Sequence, residues 1–376
     1  MRILVFSEYF RPFVGGIEVL ADQLLPALVK KGHEIQVVTS HGPIAVPDEE
    51  SFGGVLVRRY PFRTVLEGKD PEGMLLLRGR MRQLLREIDP DVIHLNGLAG
   101  SHLLLLPALS GQRGAILLQL HQRLFEWEAA PDAMASRLMK RSDWVLSVCN
   151  STLVQARQAL PEIEPRSSVI RNTVAAPPFD PTPLPFMPPT FLCLGRLAAQ
   201  KQFDLALRAA APVLKRFPEV RMIFAGDGDE KPALQALASS LGIADRCEWL
   251  GWVRPADIGG VINRATAMIL PSRWEGLPLV AVEAGWMGRP MVATRIDGVR
   301  EIIRDGETGL LTEPDNVDDL TAALLRLLER PEDTRRMGAA SRAWVQREFN
   351  WDDCVAAYDA LYRRMGEIAR ARRGPS

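Results

Sequence analysis

A chain of 376 residues, 47% hydrophobic and 24% charged, is long enough for two domains and apolar enough to bury a core in each, which excludes global disorder. Its 46 basic side chains balance 46 acidic ones, so no long-range field recruits nucleic acid, and any anion site must be local. Four scattered cysteines, Cys149, Cys193, Cys247 and Cys354, with no CxxC and no Cys/His cluster, exclude a disulfide framework or a structural zinc site and point to a reducing, cytoplasmic setting.

The opening apolar run Ile3–Phe6 is too short for a signal-peptide core and reads as a first strand. Further strands are expected at 35–39, 55–59, 92–95, 116–120, 144–148 and 168–170, with helices between most of them, the pattern of a parallel sheet covered by helices. In the first crossover helix, 17–31, apolar side chains at 17, 20, 24, 25 and 28 share one face, and Gly32 follows as the stop. Residues 74–86, MLLLRGRMRQLLR, hold four arginines and no acid. They read either as a crossover helix with arginines in water or as a peripheral contact with an anionic membrane. No apolar run reaches the length needed to span a bilayer. The segment 175–190 is too rich in proline for an internal strand or helix and is expected to link two domains, 1–174 and 191–350. Strands then resume at 191–194, 221–225, 247–250, 267–270 and 291–293, and a last helix, 352–370 within a 351–376 tail, is expected to return to the first domain. The fold class is therefore α/β, two Rossmann-like doubly wound domains, with a ligand expected in a cleft outside the carboxyl ends of the strands.

Three segments carry candidate chemistry. After the first strand, Gly15-Gly16 opens directly into a helix, where bare amides can approach an anion; a plain tight turn is the alternative. The loop lacks the G-x-G-x-x-G of a nicotinamide-binding domain. After the 191–194 strand, Arg196 and Lys201 suit a diphosphate, Arg as a bidentate grip and Lys as a point charge, unless they are simply solvated. In EGLPLVAVE, Glu275 lies in a loop with Gly276, and Glu283 lies in the opening turns of a helix. One acid can face a sugar and the other a ribose, with the amides of Leu279 and Val280 aimed at phosphate; helix-dipole partners are the alternative.

In their order and spacing these residues resemble the retaining sugar-nucleotide glycosyltransferases of the two-Rossmann GT-B fold, in the group called family 4. The resemblance rests on Gly15-Gly16 with Glu18, GHEIQVVT at 32–39, PDVIH at 90–94, His121, GRLAAQK at 195–201, AGDGDE at 225–230 and LGWV at 250–253. It continues through the EGLPLVAVE run, Gly288 with Pro290, and Gly298 with Glu301. The resemblance implies transfer of a hexose from a nucleotide diphosphate sugar to a hydroxyl acceptor, whether glycan, lipid or small molecule, with retention of anomeric configuration. It assigns Arg196 and Lys201 to the diphosphate, Glu283 to the ribose, Glu275 to the transferred sugar, and the backbone at Trp252 and Val253 to the base. From the first domain it brings Gly16 to the phosphate and His121 to the sugar. The Asp227-Gly228-Asp229 stretch inside AGDGDE reads as a strand-to-helix turn and not as a metal site, so no metal or other cofactor is expected.

The departures are Asn96 where the family commonly has a second histidine, Thr173 and Gln202 where it has glycine, and Gly285-Trp286 where it has small or flexible side chains. Asn96 and Thr173 put the acceptor assignment in doubt more than the donor chemistry, and Trp286 bears on helix packing. A nucleotide-sugar epimerase or hydrolase of the same fold and a non-catalytic sugar-nucleotide binder are the competing readings.

Overall fold

The computed structural model describes residues 1–12, 15–42, 45–130 and 132–374. Contacts divide the chain into two compact units, Met1–Arg171 with Asp352–Ser376, and Asn172–Trp351.

The first unit holds eight strands: β1 (Arg2–Phe6), β2 (Glu34–Ser40), β3 (Glu49–Phe52), β4 (Val55–Tyr60), β5 (Val92–Asn96), β6 (Ala115–Leu120), β7 (Trp144–Ser147) and β8 (Ser167–Val169). Their order is β3-β4-β2-β1-β5-β6-β7-β8, and every pairing is parallel except β3 with β4. The central strands are buried on both faces, which is why they read as unbroken apolar runs. Helix Gly16–Lys30 buries Leu20, Ala21, Leu24, Leu25 and Leu28, the predicted face, and Gly32 follows it at φ +90°. Strand β3 escapes a hydrophobic reading because EESF is a polar edge. It is held by the Gly53-Gly54 hairpin, both at positive φ, and by cross-strand pairs of Glu49 with Arg58 at 2.9 Å and Glu50 with Arg59.

The C-terminal helix Trp351–Arg373 belongs to this unit through side chains the sequence pattern does not announce. Tyr358 accepts from Gln119 at 2.7 Å, Tyr362 meets His94 at 2.8 Å, and His33 meets Asp359 at 2.8 Å. Near its end, Arg372 and Arg373 pair with Asp143 and Asp91. His33 and His94 are thereby structural.

The second unit is a six-stranded parallel sheet: β9 (Thr190–Leu194), β10 (Arg221–Ala225), β11 (Cys247–Gly251), β12 (Ala267–Leu270), β13 (Met291–Thr294) and β14 (Gly309–Thr312), in the order β11-β10-β9-β12-β13-β14. The four-residue β14 has no counterpart in the sequence reading. The proline-rich segment is tied to this unit by Arg289, 1% exposed, which donates to the Thr182 carbonyl at 2.8 Å and to its hydroxyl at 2.9 Å. Gly285 sits against helix Pro331–Glu348, where a Cβ would come within 2.3 Å of Val345. Trp286 beside it is partly buried. Among the described residues no helix is long and apolar enough to cross a membrane, and the four cysteines are free thiols.

In each sheet the strand order reverses once at the centre, between β1 and β5 in the first and between β9 and β12 in the second. Loops at such a reversal diverge and leave a crevice at the carboxyl ends of the strands.

Candidate functional site

At the reversal in the second sheet, the loop after β9 and the loop after β12 are tied to each other. The Arg273 amide donates to the Gln200 carbonyl at 2.9 Å, and the Gln200 side chain donates to the Trp274 carbonyl at 2.8 Å. This brings Lys201 and Glu275 together, Nζ to Oε1 at 2.6 Å, while the Ser272 hydroxyl donates to the same oxygen at 2.7 Å. Glu275 is 8% exposed and Lys201 only partly buried, so one end of the ammonium can meet a second anion. A buried carboxylate held in this way is charge-compensated and fixed in one rotamer. Gln200 and Ser272 are not singled out by the sequence: Gln200 lies inside GRLAAQK and Ser272 three residues before the EGLPLVAVE run, but an amide and a hydroxyl announce no chemistry alone. Gln202 stands at φ +47°, the left-handed region, and its side chain donates to Asp315 at 2.6 Å. That backbone explains why glycine suits the position, and the side-chain bond offsets part of the roughly 1–2 kcal/mol that a non-glycine residue costs there.

Helix Leu279–Trp286 begins directly after Pro278, so the first-turn amides of Leu279 and Val280 have no intrahelical acceptor and form a positive end. Glu283, one turn in, is only partly exposed, and desolvation pushes its carboxyl up to about 7. Gly276 is buried against Gly298, where a Cβ would come within 1.4 Å of the Gly276 carbonyl oxygen. The glycine at 298, at φ +78°, is therefore obligatory. Arg196 is exposed at the end of β9, and Trp252, 54% exposed, and Val253 follow β11. All of these residues lie at the carboxyl edge of one sheet. Within that set Lys201 and Glu275 are in direct contact.

The first unit carries a pocket of about 110 Å³ at its own reversal. It is lined after β1 by Ser7, Glu8 and Tyr9, by Asn96 at the end of β5 and the residues that follow it, by His121 and Gln122 after β6, and by Ile17 and Glu18 of the first helix. Gly15 and Gly16 are exposed where that helix starts, and a Cβ on Gly15 would meet the Glu18 carboxylate at 2.4 Å. His121 Nε2 lies 2.7 Å from Asn96 Oδ1, Asn96 Nδ2 donates to Ser7 Oγ at 3.2 Å, and Ser7 donates to the Tyr9 carbonyl at 2.9 Å. The single hydroxyl hydrogen of Ser7 is used on Tyr9, so Ser7 must accept from the Asn96 amide. Asn96 then accepts through Oδ1, which puts the His121 proton on Nε2 and leaves Nδ1 as a bare lone pair without a partner. Burial pushes His121 down to about 3, so the ring is neutral. Asn96, read from sequence as a departure, is thus the residue that sets the tautomer of His121. Thr173 is buried and donates to the Phe349 carbonyl at 2.6 Å. Of the histidines left without a role, His41 pairs with Asp48 at 3.1 Å and His102 is buried, its Nδ1 3.4 Å from the Ala99 amide.

Two parallel-sheet α/β units, with polar groups gathered where the strand order reverses, define a GT-B glycosyltransferase fold. Solved structures agree on that fold. Sucrose-phosphate synthase from Thermosynechococcus elongatus aligns with a TM-score of 0.80 at 19% identity over 97% of this chain and 98% of that one. Anabaena HepE, solved with UDP, aligns with a TM-score of 0.75 at 20% identity over 97% and 100%. The family described as Glycosyl transferases group 1 matches residues 179–344, and Glycosyltransferase Family 4 matches residues 14–176. Among curated proteins, a GDP-mannose-dependent alpha-(1-6)-phosphatidylinositol monomannoside mannosyltransferase of Mycobacterium tuberculosis is 26% identical over 98% of this chain and 100% of its own. The alpha-D-kanosaminyltransferase of Streptomyces kanamyceticus is 32% identical, but over 47% of this chain and 46% of its own. The chain belongs to the group 1/family 4 type of glycosyltransferases.

Proposed function

We propose that the chain transfers a hexose from a nucleotide diphosphate sugar to a hydroxyl acceptor with retention of configuration. The observation that carries this reading is the contact of Lys201 with Glu275, at 2.6 Å, at the reversal of the second sheet. Arg196, Lys201 and the first-turn amides at Leu279 and Val280 offer fixed positive partners for a leaving diphosphate, the preorganisation that bond cleavage at the anomeric carbon requires. Glu283 suits a ribose diol and the backbone at Trp252 and Val253 a base. On the first unit, Gly16 leaves the backbone open to a phosphate, and His121 presents a ring nitrogen to a sugar hydroxyl.

Glu275 positions the sugar and stabilises charge developing at its anomeric carbon. Its negative charge is already matched by Lys201, which weakens it as a nucleophile and favours entry of the acceptor on the face the diphosphate leaves. The departing phosphate then takes the acceptor proton. Cations and helix amides do the work that a divalent ion does elsewhere, so no metal is required. Donor use is supported by relatives named as GDP-mannose-dependent and by a fold neighbour solved with UDP-glucose. Residues 74–86 are proposed to touch an anionic membrane. Leu75 and Leu76 are 66% and 68% exposed in helix Pro71–Ile88, while Leu77, Leu84 and Leu85 are buried. Thermal-shift screening of nucleotide sugars, followed by mass spectrometry of products from cell extract, tests the function. Stabilisation by a sugar nucleotide without any glycosylated product would sink it in favour of a binding protein.

A further inference from the structure

We propose that Gln202 and Asp315 form a strap that holds Lys201 against Glu275, and that both are positioning residues for departure of the diphosphate. The inference rests on the transferase reading and extends it to side chains that touch no substrate. Among the described residues four other than glycine have a left-handed backbone, Lys69, Asp89, Gln202 and Asp315. Two of them are bonded to each other across 113 positions: Gln202 at φ +47° donates from Nε2 to Oδ1 of Asp315 at φ +57°, at 2.6 Å. Glycine would sit at either place without strain, and strain of this kind persists where the surroundings over-determine it, most often at functional sites. The strap carries a second cost. An ionised carboxylate only accepts, so the Gln202 amide must turn its nitrogen to Asp315, which leaves its Oε1 buried and without a partner in a residue 4% exposed.

Place in the fold gives the strap its task. Gln202 closes the short turn Ala199–Lys201 and directly precedes helix Phe203–Arg216, while Asp315 follows β14, two residues ahead of helix Val317–Glu329. On the other side of Lys201, Gln200 is tied to the Trp274 carbonyl in the loop after β12. Lys201 therefore lies between two side-chain ties, and its own amide donates to the Ala198 carbonyl at 2.8 Å. The loops after β9, β12 and β14 are joined around it. A cation stabilises a leaving group best when it is fixed before the charge develops, so a turn free to swing forfeits part of that effect. The same two helices share a second contact away from the turn. There the Thr321 hydroxyl is shared between the Val317 carbonyl at 2.8 Å and the Ala209 carbonyl at 3.1 Å.

Melting curves and steady-state kinetics of the full chain, with the nucleotide sugar found by thermal shift, separate positioning from plain packing. Gln202→Gly and Asp315→Gly relieve the left-handed backbone, so neither should melt below the wild type. Each should nevertheless lower kcat about tenfold with donor KM within about threefold. Asp315→Asn keeps an oxygen acceptor on a residue that tolerates this backbone and should stay within about twofold of wild type. The double glycine variant should be no slower than the slower single one, because both remove one bond. Thr321→Val should lower the melting temperature and leave kcat unchanged. Wild-type kcat in the glycine variants, Asp315→Asn as slow as Asp315→Gly, losses that multiply in the double variant, or an equal loss in Thr321→Val overturns the proposal. A second readout needs no turnover. The chain has seven lysines, few enough to resolve with ¹³C at Cε, and Lys201→Arg assigns the signal. The two Hε protons of Lys201 should be inequivalent in the wild type and merge in the glycine variants as the side chain averages over rotamers. An unchanged Lys201 signal in both variants overturns the strap. A signal that responds as expected, with no product from any nucleotide sugar, indicts the transferase reading and leaves the strap standing.

Discussion

If Glu283 holds the ribose, donor affinity depends on pH around neutrality. The carboxyl is pushed from 4.5 up to about 7 by desolvation. Because the folded value is raised, the stability linked to this group is fully present below about pH 4.5 and is lost as pH rises through about 7. A ribose diol donates to the ionised carboxylate, so binding draws the proton off, and affinity rises with pH until the group is ionised in the free protein. About one pH unit below the pKa roughly a tenth of the sites carry the anion, and one unit above roughly nine tenths do. The dissociation constant should therefore fall about tenfold between about pH 6 and pH 8, or about 1.4 kcal/mol. An intact sugar nucleotide is the right ligand, because each of its phosphates keeps only one strongly acidic O–H and neither titrates in that window. Isothermal titration calorimetry across this range should show the slope in the wild type and a flat profile in Glu283→Gln. Without ligand the variant should melt higher than wild type at about pH 8, because no desolvated charge remains. A flat wild-type profile, or a slope that persists in the variant, refutes the ribose assignment.

Lys201→Ala and Arg196→Ala should each lower turnover by about 10²-fold or more. Activity of both within a few-fold of wild type would refute the phosphate assignment. Only Lys201→Ala should also lower the melting temperature, because it strands the 8%-exposed Glu275 at a cost of about 3 kcal/mol; equal melting curves would contradict the buried pair. Substantial activity should survive excess EDTA, and complete loss restored by magnesium or manganese would overturn the metal-free mechanism. The wild type should sediment with anionic vesicles and not with neutral ones, and Leu75→Ser/Leu76→Ser should abolish this. Equal sedimentation of wild type and variant would exclude the helix Pro71–Ile88 as the contact.

The parallel strands were legible in the sequence because burial on both faces writes them as short apolar runs, such as Ile3–Phe6 in β1 and Ala267–Leu270 in β12. What escaped was β3, whose polar edge carries no hydrophobic period, and β14, Gly309–Thr312, whose apolar pair Leu310-Leu311 is flanked by a glycine and a threonine. The chemistry-bearing residues at the second reversal could be named individually, yet the contact between Lys201 and Glu275 spans 74 positions and depends on Gln200 stitching two loops. Nothing in local sequence encodes such a contact. The tautomer of His121 is likewise a property of a relay through Asn96 and Ser7, residues drawn from three strand ends. Asn96 looked like a loss against the family pattern until its two hydrogen bonds gave it a role. The leucines at 75 and 76 could not be told from Leu77 by composition, since helix phase alone decides which of them faces the core.

The most direct test of the central claim is the anomeric configuration of the first product. With an α-linked donor of gluco or galacto configuration, chosen by the thermal-shift screen, proton NMR of the product as it first forms should show the small coupling of an α anomer. A large, β-type coupling would contradict retention, and with it the role of Glu275 as a positioning carboxylate paired to Lys201.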